Sequence, residues 1–162
     1  MRRLWAPWRL AYVQGADAEP DCVFCRAVES DDATGLVVHR GLRATVLLNK
    51  FPYAAGHLMV APRRHTGEFG DLEDDEALAV HRLASTAIGV LAETMTPHGY
   101  NLGWNLGRVA GAGVVDHVHL HVVPRWGGDT NFMPVLADVK VIPEALEETR
   151  RRLAEAWPAD AA

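Results

Sequence analysis

The chain has 162 residues, 49% of them hydrophobic, and carries a formal net charge of −5 at pH 7. This length and apolar content predict one globular domain over residues 1–162 with a single core. The negative charge argues against a protein that coats nucleic acid polymers, although it leaves small nucleotides open as ligands. No apolar run is long enough for a membrane span and no signal peptide is recognisable, so we expect a cytoplasmic protein without membrane association.

An aromatic segment opens the chain. Trp5, Trp8 and Tyr12 recur at helical spacing, which predicts an amphipathic helix over residues 2–12. Large aromatic side chains so near a terminus are typical of core, and they are also found at dimer interfaces. We therefore expect this segment to be buried in one of these two ways.

The two cysteines of the chain, Cys22 and Cys25, follow a polar loop. Their two-residue gap allows both thiolates to reach one zinc ion, and a redox pair has the same spacing. The βαβ pattern of a thioredoxin-like motif is not visible around them. A reducing cytoplasm also disfavours a structural disulfide, so the pair remains open between a metal site and two reduced thiols.

Residues 36–39, 44–49 and 57–62 predict three strands joined by turns, which together form an antiparallel meander. Asn49 lies at the end of the second strand, beside a turn that contains Pro and Gly. Asparagine in this position is by default a local turn former. The functional alternative is that its amide binds a polar ligand group such as a ribose hydroxyl.

From residue 72 the apolar pattern changes to a 3.6-residue repeat, which predicts a long helix with acidic residues at its beginning and an end at Pro97 and Gly99. The helix faces the core through Val80, Leu83, Ala84, Ala87, Ile88, Leu91 and Met95.

Residues 100–106 predict a further strand, and the small-residue loop 107–113 follows it. Such a loop can bring backbone N–H groups close to a phosphate. Near the C-terminus, Pro143 is predicted to open a last helix with early glutamates and late arginines, as the helix dipole favours. The charges of this helix are expected to form a solvated face.

The segment 116–125 reads DHVHLHVVPR and predicts a strand with His117, His119 and His121 on one face and apolar residues on the other. Three buried imidazoles each need a hydrogen-bond partner, a metal or a ligand. One lone histidine is easily satisfied by backbone carbonyls. Three histidines in strict alternation indicate a functional site.

Four motifs stand out together: Asn-Leu-Gly at 105–107, Ala-Gly at 110–111, His-Val-His-Leu-His-Val-Val at 117–123 and Gly-His-Leu-Met-Val-Ala-Pro at 56–62. With these motifs the sequence resembles the histidine triad (HIT) family of nucleotide hydrolases and transferases. The resemblance spans about residues 22–125, and the flanking motifs look like the branch that includes diadenosine tetraphosphate phosphorylases. It implies an α+β fold, a five-stranded antiparallel sheet with helices, paired across a two-fold axis. A homodimer would also protect an exposed edge strand.

The resemblance assigns the chemistry to the triad. His119 matches the nucleophile, which would attack the α-phosphorus of an adenine nucleotide and form a nucleotidyl-histidine. Water or inorganic phosphate would then cleave this intermediate. His121 would hold phosphate oxygens, and Asn105 would contact phosphate or position the nucleophile. A neutral imidazole near pH 7 suits the role assigned to His119.

The nucleotide contacts depart from the usual family pattern. Many relatives carry Gln and then Ser or Thr just before the triad, and this chain carries neither. Either the backbone of Gly111 and Gly113, together with Arg108, replaces these phosphate donors, or the preferred substrate differs. Asn49 matches the position that holds the ribose hydroxyls.

Four classes of function therefore stay open. The first is a dinucleoside polyphosphate phosphorylase or hydrolase, and the second is a nucleoside phosphoramidate or acyl-nucleotide hydrolase. The third is a nucleotidyltransferase within a biosynthetic pathway. The fourth is a nucleotide-binding regulatory module without turnover.

The resemblance also implies a metal site. In zinc-carrying relatives, a cysteine pair is completed by the histidine that ends the second signature strand and by the first histidine of the triad. These residues are Cys22, Cys25, His65 and His117 in this chain. A zinc ion with four protein ligands has a structural role and is not a Lewis acid. The alternative is two reduced thiols without a metal.

Overall fold

The computed structural model describes residues 22–129 and 144–159. The helix predicted over 2–12 and the opening of the last helix at Pro143 lie outside these residues. Two short 3₁₀ turns lie at Phe69–Asp71 and Arg108–Ala110. The longer elements, in chain order, are α1 (Val23–Glu29), β1 (Val37–Arg40), β2 (Ala44–Leu48), β3 (Leu58–Pro62), α2 (Asp74–Met95), β4 (Gly99–Trp104), β5 (Leu120–Arg125) and α3 (Leu146–Glu155).

The five strands form one sheet in the order β1-β2-β3-β5-β4, and every neighbouring pair is antiparallel. The predicted meander is therefore confirmed, and so is the α+β class with a five-stranded antiparallel sheet. β5 lies between β3 and β4, while β1 and β4 form the edges. The strand that carries the end of the triad is consequently enclosed on both sides.

The two faces of the sheet differ in what covers them. One side of the sheet is covered by α2, and we call it the α2 face. On this side the buried stripe of α2, together with Leu153 and Trp157 of the C-terminal segment, packs against Val46, Leu58, Val60, Leu120 and Val122. We call the opposite side the α1 face. There, Phe24 and Ala27 of α1 pack against Val37, Leu47, Met59 and Ala61. Alternation along β3 sends Leu58 and Val60 to one side and Met59 and Ala61 to the other.

The strand around the triad begins later than the sequence predicts. β5 starts at Leu120 because the ladders to β3 and β4 both begin there, through Val60 and Trp104. Just upstream, the Val118 N–H donates to Thr66 O at 2.8 Å, so this stretch pairs with a loop and not with a strand. β4 correspondingly ends at Trp104 and not at residue 106.

The helix ends also differ in detail from the predictions. α2 begins at Asp74, where the backbone N–H of Glu73 donates to the Glu76 carboxylate at 3.1 Å. It ends at Met95 and is capped by Thr96, which adopts the left-handed conformation with φ 47°, whereas Gly99 already belongs to β4. α3 begins at Leu146, with Ala145 as its N-cap in extended conformation. None of the described helices is both long and apolar enough to cross a bilayer.

Candidate functional site

The three histidines of the triad lie on the α1 face of the sheet. His121 pairs directly with Met59 across the β3–β5 ladder, and residues directly opposite in a ladder share a face. The rings of His117 and His119 pack against Phe24 of α1, with centroid distances of 5.1 and 4.6 Å. All three histidines are buried, so each imidazole requires a partner.

His119 has the hydrogen bond that a nucleophilic imidazole needs. Its Nδ1 lies 2.8 Å from the carbonyl oxygen of His117. A carbonyl only accepts, so Nδ1 carries the proton and Nε2 keeps its lone pair. Burial lowers the pKa of His119, although the bond to the carbonyl opposes this effect. The ring is therefore neutral near pH 7, with Nε2 available for attack.

His121 is held by a residue that the sequence analysis did not assign, His57. His57 is fully buried, and its Nε2 lies 2.9 Å from Nδ1 of His121. The Tyr53 N–H donates to His57 Nδ1 at 3.0 Å, and the side-chain nitrogen of Asn49 lies 3.4 Å from the same atom. Two donors at Nδ1 leave the proton of a neutral His57 on Nε2, from where it is donated to His121.

The same bond determines the proton of His121. Because its Nδ1 accepts from His57, a neutral His121 carries its proton on Nε2. The side-chain amide of Asn105 lies 3.3 Å from this Nε2 and can present its oxygen to the N–H after a half-turn. The neutral His121 ring can therefore donate its Nε2–H to a phosphate oxygen, and the ring does not have to become an imidazolium cation to do so.

The residues predicted to contact the nucleotide differ in their burial and in their present hydrogen bonds. Asn49 is buried and its Oδ1 accepts the Phe51 N–H at 2.9 Å, so it holds the turn beside His57. In the loop after β4, the Gly111 N–H donates to Arg108 O at 2.9 Å and is therefore already engaged. Gly113 is half-buried in the same loop, and Arg108 is exposed. Their contacts with a nucleotide stay predictions.

A second cluster of ligating side chains adjoins the triad. One ligand atom each from Cys22, Cys25, His65 and His117 lies within 4.8 Å of all the others. Cys22 Sγ lies 3.3 Å from His117 Nδ1, and Cys25 Sγ lies 3.2 Å from His65 Nδ1 and 3.7 Å from His117 Nδ1. A tetrahedral zinc with Zn–S about 2.3 Å and Zn–N about 2.05 Å has S···N edges of roughly 3.6 Å. The four residues therefore fit a zinc ion.

The surroundings of this cluster favour metal-binding forms of its histidines. His117 Nε2 lies 2.8 Å from Pro62 O, so Nε2 donates and Nδ1 faces the thiols with a lone pair. Burial lowers the pKa of His117 to about 4, which keeps the ring neutral. Burial, together with Cys22, raises the pKa of the Cys25 thiol to about 11. A bound cation would favour the thiolate.

The short helix α1 connects the two clusters. Cys22 is its N-cap and Cys25 lies in its first turn, so positions three apart present both thiols on one side. Phe24, between them, contacts both His117 and His119. His117 itself is shared, since its ring faces the thiols and its carbonyl holds His119.

Sequence reasoning missed His57 because periodicity reports which face a residue occupies and not which strand lies beside it. The available signal was a histidine opening an otherwise apolar strand. With the β3–β5 register known, His57 is a diagonal neighbour of His121 on the same face.

The comparisons with known proteins agree with this geometry. A model of the HIT domain matches residues 31–128. The chain is 42% identical over 165 residues to a Mycobacterium tuberculosis protein named AP-4-A phosphorylase, covering 97% of this chain and 85% of that protein. It is 31% identical over 107 residues to an adenosine 5'-monophosphoramidase of Schizosaccharomyces pombe, covering 64% of this chain and 74% of that protein.

A solved structure gives the same result at the level of the fold. A Zn-bound histidine triad family protein from Mycobacterium smegmatis superimposes with a TM-score of 0.65 at 25% identity, covering 85% of this chain and 93% of that one. The family match, the identity to the M. tuberculosis protein and the buried triad all lead to one assignment: the chain belongs to the HIT family and is similar to its AP-4-A phosphorylase branch.

Proposed function

We propose that this protein cleaves dinucleoside polyphosphates, with diadenosine tetraphosphate as the substrate class, through a covalent nucleotidyl-histidine. The observation that carries the proposal is the bond from His119 Nδ1 to His117 O, which leaves Nε2 with its lone pair in a buried, neutral ring. The 42% identity to AP-4-A phosphorylase supports the choice of substrate.

The reaction has two displacements at the same phosphorus. His119 Nε2 attacks the α-phosphorus, an N–P bond forms, and the P–O bond to the remaining nucleoside triphosphate breaks. Water or inorganic phosphate then forms a new P–O bond while the N–P bond breaks. Besides the nucleoside triphosphate released in the first step, water gives a nucleoside monophosphate and one proton, and inorganic phosphate gives a nucleoside diphosphate.

The other residues of the site bind the phosphates. The His121 Nε2–H donates to a phosphate oxygen in place of the Asn105 amide, which lies 3.3 Å from the same nitrogen, while His57 fixes the ring at Nδ1. Arg108 and the N–H of Gly113 supply the donors that the absent Gln, Ser and Thr provide in other members of the family. Asn49 contacts the ribose through its amide while its Oδ1 holds the turn through the Phe51 N–H.

We also propose a structural zinc ion held by Cys22, Cys25, His65 and His117. When bound, it would pin α1 to the sheet and orient the segment that carries the triad. The support is the match between the S···N distances and a tetrahedral site. Elemental analysis of protein purified without a His tag should give close to one zinc per chain, whereas less than about a tenth of an equivalent, with both thiols freely titratable, would remove the site. Cys22→Ser should lower metal content and thermal stability together.

The decisive assay for the reaction uses diadenosine tetraphosphate with and without inorganic phosphate. We expect ATP with ADP when phosphate is the acceptor and ATP with AMP when water is. A quenched sample should contain protein whose mass has increased by one adenylyl group, and His119→Ala should not acquire it. If diadenosine tetraphosphate is not consumed under either condition, the proposed substrate is wrong.

A second candidate is a nucleoside phosphoramidate hydrolase acting through the same His119. It is supported by the adenosine 5'-monophosphoramidase among the relatives and by the missing phosphate donors, since a single phosphate requires fewer of them. Adenosine 5'-monophosphoramidate discriminates the two. A kcat/KM at least ten-fold higher for this compound than for diadenosine tetraphosphate would favour the second candidate, by roughly 1.4 kcal/mol of transition-state stabilisation.

The assembly and location are proposed on the same basis. β4 is an edge strand whose residues Asn101, Leu102 and Gly103 are exposed, and pairing this edge with a second copy would protect it. We therefore propose a cytoplasmic homodimer of single-domain chains that binds neither nucleic acid polymers nor membranes. Light scattering at micromolar concentration tests the dimer, and a mass near 17.7 kDa would contradict it.

A further inference from the structure

The last residue of β1, Arg40, binds the C-terminal turn of α1. Its Nη1 donates to the carbonyl oxygens of Ala27 and Val28 at 2.6 and 2.7 Å, and its Nη2 donates to Ser30 O at 2.7 Å. The Nε–H completes the set by donating to the Asp32 carboxylate at 2.8 Å. One guanidinium group thus joins the sheet to the end of the helix that carries the cysteines.

These bonds address a specific weakness of α1. A helix of seven residues is too short to be stable by itself, and its last carbonyls have no partners within the helix. A cation at the C-terminal end also interacts favourably with the helix dipole. Arg40 provides both contributions, since its planar group reaches three carbonyls at once.

The opposite end of α1 carries the ligating thiols. Cys22 and Cys25 lie at the N-terminal end of α1, and their Sγ atoms are 3.2 to 3.7 Å from the histidine nitrogens. A helix this short is a single rigid unit, so a change in tilt at its C-terminal end displaces the thiols. α1 also packs through Phe24 and Ala27, and such apolar contacts fix the depth of a helix more than its direction.

We propose that Arg40 is a positioning residue of the metal site. It and the bound metal stabilise the same placement of α1, so each strengthens the other. The inference rests on the proposed zinc site and adds a residue that touches no ligand. A purely structural Arg40 would instead stabilise the metal-free and metal-bound protein equally.

The test compares Arg40→Gln with Arg43→Gln. Arg43 is the matched control because it also pairs with one carboxylate, that of Asp75 at 2.7 Å, and this carboxylate belongs to α2. Zinc affinity is measured by competition with a chromophoric chelator, and thermal midpoints are measured with one equivalent of zinc and after treatment with EDTA. Arg40→Gln should weaken zinc binding by about ten-fold, the low end for groups that orient metal ligands. The rise in midpoint on adding zinc should shrink with it.

The conservative variant Arg40→Lys should recover part of the affinity, since an ammonium group keeps the charge without spanning three carbonyls. Arg43→Gln should retain the wild-type affinity. If Arg40→Gln does not fold, the same two measurements are made on Arg40→Lys and Asp32→Asn. Both variants should then show smaller losses of zinc affinity and of the zinc-induced rise in midpoint.

The possible failures are distinguishable. A wild-type protein that binds no zinc overturns the metal site and this inference with it. A wild-type protein that binds zinc while the Arg40 variants bind it equally well, with equal midpoint shifts before and after EDTA, leaves the metal site standing and overturns the role of Arg40.

Discussion

The two faces of the sheet are built on different principles. The α2 face is a continuous apolar core, in which Leu58, Leu83 and Leu91 are at most 1% exposed. The α1 face combines a small apolar cluster with five histidines, two cysteines and the Arg40 bonds. The α2 face stabilises the fold because it removes apolar surface from water. The α1 face depends on specific hydrogen-bonded pairs, and each buried polar group in it needs its partner. Substitutions on the two faces should therefore have separable effects on stability and on activity.

The strongest separation is expected at His119. His119→Ala should lower kcat by more than about a thousand-fold, because the loss of the nucleophile removes transition-state stabilisation. The fold and substrate binding should survive, since the Nδ1 bond serves only this ring. Steady-state kinetics with equilibrium nucleotide binding and circular dichroism measure the three quantities. Activity at the wild-type level would show that the nucleophile is another residue.

The opposite behaviour is expected on the α2 face. Leu83 is 1% exposed, so Leu83→Ala should lower the free energy of unfolding by about 3 kcal/mol through lost burial and a cavity. Activity per folded molecule should stay unchanged. Leu78→Ala, on the same helix but 47% exposed, is the matched control and should cost far less. Urea denaturation gives both values, and equal losses for the two leucines would mean that the α2 face is not the core.

Within the α1 face, His57 should act through His121. His57→Ala removes the donor at 2.9 Å from His121 Nδ1, which frees that ring to change tautomer and turn. We expect kcat/KM to fall by about ten- to a hundred-fold, less than the roughly hundred- to thousand-fold loss of a donor that contacts the substrate, because His57 acts through His121. His57→Gln keeps an N–H donor and should recover part of the loss.

The exposed His81 provides the matched control for this experiment. His81→Ala changes the same residue type at the surface of α2 and should leave kcat/KM unchanged. If His57→Ala and His81→Ala have the same small effect, His57 is only a satisfied core histidine.

The contrast between the faces also explains how far the sequence could be interpreted. The α2 face was predictable because Val80, Leu83, Ala87 and Leu91 follow a helical period and the strands alternate. His117, His119 and His121 were predictable from their own alternation. The start of β5 was not, because it depends on where β3 and β4 stop pairing.

The contacts that support the site could not be predicted for a related reason. Arg40 reaches carbonyls 10 to 13 residues away across an irregular loop, and no periodicity encodes such a bond. His57 depends on strand order, since β5 inserts between β3 and β4. The metal ligands were assigned by family resemblance, and their geometry agrees with it.

The smallest expected effect concerns the link between the two faces. Glu76 of α2 is 3% exposed and binds the Arg64 guanidinium at 2.6 and 2.9 Å, directly beside His65. The bonds from Arg64 are the main reason that the pKa of Glu76 lies below its ordinary value of 4.5. A carboxyl whose pKa is lower in the folded state stabilises the fold above the unfolded pKa and loses this contribution as the pH falls through the folded pKa.

Glu76→Gln should therefore lower the free energy of unfolding at pH 7 by about 1 kcal/mol, a value reduced because Arg64 is 42% exposed. The difference from the wild type should narrow as the pH falls below 4.5 and disappear once the wild-type carboxyl is protonated. Glu148→Gln is the matched control, since Glu148 and Arg151 are about half exposed and should contribute almost nothing. Thermal midpoints between pH 3 and pH 7 test both variants. A constant difference across this range would mean that Glu76 stabilises α2 by packing and not through its charge.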